Sequence, residues 1–178
     1  LCQRSHSLED VLIPMMKDSN NLYAESMFYQ IGAATGARPV KSSHARNAIK
    51  RTLHKAGITG SHYKIADGSG LSLYNYVTPE LLTKLLAYAY RHPSIYRYLY
   101  VSLPVAGEDG TLKKRMKDTP AQISVRAKTG TLTGISSLAG YAVATNNHVL
   151  AFAIINQGVM KNDQGRNFQD KVCTAMCK

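Results

Sequence analysis

Residues 125–134 read Val-Arg-Ala-Lys-Thr-Gly-Thr-Leu-Thr-Gly, and this stretch decides how the fold of the chain is interpreted. Its pattern is that of a strand, with Lys128 near the middle. The ammonium of Lys128 offers three donors and a point charge, and Thr129 and Thr131 add hydroxyls. Gly130 has no Cβ, so a ligand backbone can lie close to the strand. The stretch predicts a strand that binds a carboxylate. A Lys-Thr-Gly triplet is common by chance, however, so this prediction requires other residues of matching chemistry elsewhere in the chain.

Around this stretch the sequence alternates with a period of two, which predicts further strands. We expect strands over residues 123–128, 135–145 and 149–156. Asn146 and Asn147 form a turn signal between the last two, so that pair is expected to be an antiparallel hairpin.

Elsewhere apolar residues recur at helical spacing. Helices are predicted over residues 8–17, 22–34, 43–56, 79–90 and 163–177. We expect Pro14 to break the first helix and Ser42 or Ser43 to cap the third. Residues 96–105 are interpreted as irregular, and residues 111–117 as a helical turn. The predicted fold class is α+β, with an antiparallel sheet covered by helices.

Length and composition suit one globular domain. The chain has 178 residues, of which 44% are hydrophobic and 19% charged, and no apolar run reaches the roughly 18 residues of a membrane span. Lys and Arg number 22 against 11 acidic residues, giving a net charge of +11. A basic balance can indicate nucleic acid, an anionic polymer or a membrane surface. The cations are spread over predicted helices without a stacking-aromatic pattern, so we expect solvated faces and no nucleic-acid partner.

Three cysteines lie near the ends of the chain: Cys2, Cys173 and Cys177. The last two are four residues apart on a predicted helix and therefore share a face. Two interpretations stay open: a disulfide from Cys2 to one of them in an oxidising compartment, or half-buried thiols. No further ligand has metal-site spacing, so we expect neither metal nor cofactor.

A second motif with chemistry that complements Lys128 is Ser19-Asn20-Asn21, at the predicted start of a helix. A hydroxyl two residues before an amide offers a proton relay and an orientable hydrogen-bond pair. The competing interpretation is ordinary capping, because Ser and Asn favour helix starts for backbone reasons alone.

Four motifs stand in order along the chain. They are Lys-Asp-Ser-Asn-Asn-Leu-Tyr-Ala-Glu (17–25), Asp-Gly-Ser-Gly-Leu-Ser (67–72), Leu-Pro-Val-Ala-Gly followed by Asp-Gly-Thr-Leu (103–112), and Arg-Ala-Lys-Thr-Gly-Thr-Leu followed by Leu-Ala-Gly-Tyr (126–141). Together they resemble the D-alanyl-D-alanine carboxypeptidases/endopeptidases of the peptidase S13 family, the class C low-molecular-mass penicillin-binding proteins. The resemblance spans about residues 8–175 and implies a β-lactamase/transpeptidase-like fold. Asn20 stands where such boxes commonly have Asp.

The resemblance implies acyl transfer by a serine to and from peptidoglycan stem peptides ending in D-Ala-D-Ala, with trapping by β-lactams. It implies catalytic roles for Ser19 and Lys128, as proton relay and carboxylate-binding cation. Substrate binding falls to Asn21, Thr129, Gly130 and Thr131. Asp67, Ser69 and Ser72 are interpreted as residues that shape the site. Whether carboxypeptidase or endopeptidase activity dominates stays open.

One part of the family pattern is not found. The nucleophile of the family lies in a Ser-x-x-Lys box on a helix, and the only match here, Ser61 to Lys64, falls on a short predicted strand. Side chains at i and i+3 of a strand point to opposite faces, so this match is rejected. We therefore expect residues 1–178 to be the C-terminal segment of a penicillin-binding catalytic domain, without its upstream Ser-x-x-Lys segment and inserted domains. Alone it is expected to be inactive and to self-associate; its parent is expected to be exported to the periplasm or outside the cell membrane.

Three other hypotheses about the function compete with a penicillin-binding enzyme. A β-lactamase-like serine hydrolase would share the Lys128 box but is not expected to carry the glycine-rich motif at residues 67–72. A non-catalytic module would bind peptidoglycan peptides through Lys128 and Asn21 without turnover. A nucleic-acid binder would make the four ordered motifs a coincidence. Covalent labelling by a fluorescent penicillin separates them, because only a chain with a serine nucleophile is labelled.

Overall fold

The structure is a computed structural model that describes residues 5–60 and 62–178. Five helices precede a sheet, and a sixth follows it. The helices are α1 (Leu8–Lys17), α2 (Asn21–Ala33), α3 (Ser42–Lys55), α4 (Pro79–Tyr90), α5 (Pro93–Ser102) and α6 (Asn162–Met176), with a 3-10 turn at Gly110–Leu112. No helix in the described part of the chain is both long and apolar enough to cross a bilayer.

The sheet is an antiparallel meander of β1 (Val125–Leu132), β2 (Ile135–Val143) and β3 (Val149–Gln157), in that spatial order. Lys128 lies opposite Ala139 in the register of β1 and β2. The outer edge of β1 is covered only at its start, where the Ala127 N–H donates to the Pro104 carbonyl at 3.0 Å. Because backbone groups alternate between the two edges of a strand, those of Thr129 and Thr131 point to the same outer edge. No described backbone group bonds that part of the edge.

α6 covers one face of the sheet. Val125 and Ala127 of β1 are fully buried there, together with Leu138 of β2 and Cys173 of α6. Within this apolar layer lies the fully buried Gln169. Its Nε2 donates to Ser136 Oγ at 3.1 Å and to Asn156 Oδ1 at 3.0 Å, and its Oε1 accepts from Arg115 Nη2 at 3.0 Å. The amide thus satisfies its hydrogen bonds on both sides, as a buried polar group must.

The opposite face of the sheet packs against α4 and α5 through aromatic rings. Tyr141 of β2 is 1% exposed, its ring meets Tyr96 edge to face at 5.2 Å, and its hydroxyl donates to the Leu86 carbonyl at 2.8 Å. The sheet is therefore held between α6 on one side and α4 with α5 on the other, which confirms the predicted α+β class.

Most predicted elements are confirmed, with four local corrections. Pro14 does not break α1, which continues to Lys17. Lys41, rather than Ser42 or Ser43, occupies the N-cap of α3. The segment interpreted as irregular is mostly α5, which begins with Pro93 at its first position. β1 begins at Val125 because Ile123 has a φ of 65°, which is outside the strand region, and it extends to Leu132.

Cys173 and Cys177, which the sequence predicts as half-buried thiols on a helix, are both almost completely buried. Cys173 lies in α6, and Cys177 is the C-cap of that helix. Burial raises the pKa of Cys173 to about 12 and also raises the pKa of Cys177, so both thiols are unreactive near neutral pH. The alternative disulfide involves Cys2, which lies outside the described residues.

Gly140 sets the distance between β1 and β2. A Cβ at this position would lie 2.1 Å from the Arg126 carbonyl oxygen and 2.5 Å from the Ala127 Cα. Both are backbone atoms, so the strands would have to separate. We expect Gly140→Ala to lower the free energy of unfolding by about 2–3 kcal/mol, measured by urea unfolding followed by circular dichroism.

The matched control for that substitution is Thr133→Ala, at an exposed position of the β1–β2 turn. It should change stability by less than about 0.5 kcal/mol. Equal stability of Gly140→Ala and the wild type would contradict the close backbone approach.

Candidate functional site

Ser19 lies in the short connection between α1 and α2. Its φ of 56° is in the left-handed region, which is costly for a residue with a side chain. The capping role belongs to Asn20, whose Oδ1 accepts from the Tyr23 N–H at 3.1 Å. Because Asn20 caps the helix, the hydroxyl of Ser19 is available for another partner.

That partner is Lys128. Its Nζ donates to Ser19 Oγ at 2.6 Å and to the Thr129 carbonyl at 2.7 Å. The two residues are 109 positions apart in sequence, so the contact is made by the fold alone. Burial lowers the pKa of Lys128 from 10.5 to about 8, because desolvation penalises the charged ammonium. The ammonium therefore titrates close enough to neutral pH to exchange a proton with a neighbouring hydroxyl.

The loop after α5 links the segment that carries Ser19 to the strand that carries Lys128. Lys17, two residues before Ser19, forms an ion pair with Asp109 and donates to the Leu103 carbonyl at 3.1 Å. The other carboxylate oxygen of Asp109 accepts from the Val105 N–H at 2.8 Å. Since Val105 is bridged to Arg126 of β1, Asp109 fixes the end of α1 relative to the strand that carries Lys128.

Gly110 strengthens the same junction. A Cβ there would lie 2.6 Å from the Lys17 carbonyl oxygen, so the loop can approach α1 only without a side chain. The next residue, Thr111, accepts a hydrogen bond from Thr129 Oγ1 at 2.9 Å. Lys17 and Asp109 belong to two different motifs of the sequence. A cation in one motif and a carboxylate in another were the available signal of this ion pair, which the sequence-based predictions did not include.

The predicted substrate-binding residues lie on both sides of β1. Gly130 shares the face of Lys128, and a Cβ there would lie 2.4 Å from Ser137 Oγ, so this glycine also makes room for the β2 hydroxyl. Thr129 and Thr131 point toward α6 and line a cavity of about 480 Å³. Asn21 is the first residue of α2; it is exposed, and its side chain has no hydrogen bond within the described residues.

The glycine-rich loop at residues 67–72 packs against α2 rather than against Lys128. Glu25 of α2 accepts hydrogen bonds from the Gly68 N–H at 3.2 Å, the Ser69 N–H at 2.9 Å and Ser69 Oγ at 2.7 Å. Asp67 closes the loop by accepting from the Gly70 N–H at 2.8 Å and the Ser72 N–H at 2.7 Å.

Gly68 has no room for a side chain, because a Cβ would lie 2.5 Å from the Ala24 carbonyl oxygen. The loop thus orients the helix that begins with Asn21. Glu25 ends the first of the four motifs, but no local pattern indicates its role. Among the described residues, no group of three His, Cys, Asp or Glu is arranged to hold a metal ion.

Comparison with known proteins agrees with these motifs. The model of the D-Ala-D-Ala carboxypeptidase 3 (S13) family matches residues 1–176. The D-alanyl-D-alanine carboxypeptidase of Actinomadura sp. (strain R39) is 38% identical over 159 residues, which are 86% of this chain and 29% of that protein. DacB of Haemophilus influenzae is 34% identical over 161 residues, covering 89% of this chain and 33% of that protein.

Solved structures give the same picture. Penicillin binding protein 4 (dacB) of Haemophilus influenzae, in complex with a β-lactam, superposes with a TM-score of 0.86 at 31% identity, over 95% of this chain and 41% of that one. The extended-spectrum β-lactamase TLA-1 superposes at 0.68 with 19% identity, covering 94% of this chain and 62% of that one; this similarity shows the fold alone. The chain spans between about a quarter and about a third of the length of curated relatives that it matches (26% to 36%).

The depressed pKa of Lys128 predicts how stability depends on pH. Below about pH 8 the ammonium is protonated in both the folded and the unfolded chain, and the full cost of burying it is present. Between about pH 8 and 10.5 the folded state has released its proton while the unfolded state still holds it. The free energy of unfolding should therefore rise with pH across this window.

Lys128→Met removes this titration and leaves the others in place. The stability difference between wild type and variant, measured by urea unfolding at about pH 7.5 and pH 9.5, should shift in favour of the wild type at the higher pH. A difference that is the same at both pH values would contradict the buried, low-pKa ammonium.

Asp109→Asn is expected to loosen the junction between α1 and β1. Loss of the half-buried ion pair to Lys17 should cost about 1–2 kcal/mol, measured by urea unfolding. The control is Glu80→Gln, which breaks the exposed ion pair with Lys84 on α4 and should have no measurable effect. Equal effects of the two substitutions would show that Asp109 does not hold the junction.

Proposed function

Because this chain belongs to the D-Ala-D-Ala carboxypeptidase 3 (S13) family, we propose that it forms the substrate-gripping part of a serine-type D-Ala-D-Ala carboxypeptidase/endopeptidase. The observation that carries the proposal is the 2.6 Å contact between Lys128 Nζ and Ser19 Oγ. It joins a strand ammonium to a hydroxyl at a helix start, and both groups lie beside the open outer edge of β1. The substrates are peptidoglycan stem peptides ending in D-Ala-D-Ala. β-Lactams bind at the same place and acylate the nucleophilic serine of the full-length enzyme.

In the proposed mechanism Lys128 supplies positive potential for the terminal carboxylate of the peptide. Thr129 and Thr131 contribute hydroxyls to the same carboxylate, and Gly130 lets the peptide backbone approach. A bound carboxylate would also favour the charged ammonium and so raise the pKa of Lys128. The positive charge of Lys128 is thus greatest when the carboxylate of the substrate is bound.

Ser19 acts as the proton relay. Its hydroxyl accepts from Lys128 and can pass a proton to the amine that leaves when the peptide bond breaks. Asn21 is exposed beside it at the start of α2 and binds the penultimate peptide group through its amide. The left-handed backbone at Ser19 fits this role, since strained residues persist where a side chain must be aimed.

The outer edge of β1 provides the rest of the binding surface. An extended peptide can pair as an added strand with the Thr129 N–H and the backbone groups of Thr131. The Thr129 carbonyl already accepts a hydrogen bond from Lys128 Nζ. The N–H of Thr131 then serves as one oxyanion donor. The second donor comes from the nucleophilic serine itself.

We place that nucleophilic serine outside these 178 residues. Two observations support this placement. The chain spans between about a quarter and about a third of the length of its curated relatives, and the only Ser-x-x-Lys spacing ends at Lys64, which forms an isolated antiparallel bridge with Tyr76 instead of lying on a helix. Ser61 itself lies outside the described residues. The chain alone should therefore be inactive and prone to self-association, and the parent enzyme should work outside the cytoplasmic membrane, where peptidoglycan is found.

The test uses the natural full-length protein that carries this sequence. It should hydrolyse a peptide ending in D-Ala-D-Ala and be labelled covalently by a fluorescent penicillin. We expect Ser19→Ala and Lys128→Ala each to lower kcat/KM for the peptide by about 10²- to 10⁴-fold, because they remove the relay and the carboxylate-binding charge.

The matched control is Ser26→Ala, an exposed serine on α2, which should leave kcat/KM unchanged. Unchanged turnover in both site variants would overturn the proposed roles. Binding of the peptide with neither turnover nor penicillin labelling would favour a non-catalytic binding module. Rapid hydrolysis of penicillin would favour a β-lactamase-like enzyme.

A further inference from the structure

A cavity of about 480 Å³ adjoins Thr129 and Thr131, the threonines proposed to bind the carboxylate, on the α6 side of β1. Besides Thr129 and Thr131, its lining carries five charged residues: Lys114, Arg115, Asp163, Arg166 and Asp170. Its volume lies in the range of small-molecule sites, about 300–1,000 Å³. The methyl group of a leaving D-alanine would fill only a small part of it.

The charges in this cavity do not cancel. Arg115 is paired with Asp170 at 2.6 Å, and Arg166 is paired with Asp163 at 3.1 Å. Lys114 is exposed, and no carboxylate of the described residues lies within 4.0 Å of its ammonium. Three cationic side chains thus face two carboxylates, and one positive charge is left for a ligand.

The position of the cavity relates it to one part of the substrate. If Thr129 and Thr131 hold the carboxylate of the leaving residue, as in the proposed function on which this step rests, then the side chain of that residue is within reach of the cavity lined by the same threonines. We propose that the cavity is a subsite for the side chain of the leaving residue and that Lys114 selects side chains ending in an acidic group.

This subsite favours one of the two activities that the family resemblance left open. A terminal D-alanine has no side-chain charge to offer Lys114. A leaving residue with a longer, acidic side chain, such as one released from a cross-linked peptide, can fill the cavity and meet the ammonium. The geometry therefore favours cleavage at acidic leaving residues over removal of D-alanine.

The test compares two peptides that are identical except for the leaving residue, D-glutamate or D-glutamine. These residues have nearly the same size and differ in charge, so the ratio of their kcat/KM values isolates the electrostatic contribution. In the full-length protein the ratio should favour D-glutamate. Lys114→Gln should lower the ratio roughly two- to fivefold, the effect of an exposed ion pair, mainly through KM. Lys114→Glu should invert the preference.

The matched control is Lys113→Gln, which removes the same charge from the neighbouring exposed residue and should leave the ratio unchanged. A wild-type ratio near one, or an equal fall in both glutamine variants, would overturn the subsite while turnover of D-Ala-D-Ala peptides continued. Absence of turnover and of penicillin labelling in the wild type would overturn the proposed function and the subsite together. The two failures are thus distinguished by the D-Ala-D-Ala peptide.

Discussion

The candidate site depends on the burial of one ammonium at the edge of a sheet, which the fold maintains at a cost in stability. An ammonium loses much of its hydration when it is buried, and the fold must therefore offer Lys128 acceptors. It does so with the Ser19 hydroxyl and the Thr129 carbonyl. The balance leaves the pKa of Lys128 at about 8, so the charge is retained near neutral pH but weakly held. Because the acceptors of this ammonium are neutral, it can bind an incoming carboxylate without first leaving a strong ion pair.

Two carboxylates hold the elements that carry this site. Asp109 joins the end of α1 to the segment that edges β1, through Lys17 and the Val105 N–H. Glu25 joins α2 to the glycine-rich loop through three donors. Neither forms a hydrogen bond with Lys128, yet together they hold Ser19 and the start of α2 at Asn21 in position. The motifs of the sequence thus contain two kinds of residue: those proposed to bind the substrate, and those that hold the first kind in position.

Periodicity was sufficient for the elements whose pattern is local. The alternation around Lys128, the hairpin at Asn146 and the helix beginning at Pro79 all have signals within a few residues of one another, and all are confirmed. It failed for α5, because a segment rich in tyrosine suggests no helix until its rings pack against Tyr141. It also failed at the start of β1, where Ile123 has a positive φ that no residue pattern indicates.

By itself the sequence determined the family, the α+β class and the chemical types of the site residues, because these are carried by short motifs whose spacing reflects strand and helix geometry. Only the tertiary structure decided that Ser19 and Lys128 touch, since 109 residues separate them and their approach depends on how helices pack on a sheet. It also decided that Asn20 caps α2 and leaves Ser19 free, and that Thr129 and Thr131 open onto a basic cavity beside α6. Contacts between distant segments are set by packing, and packing is not written in any local pattern.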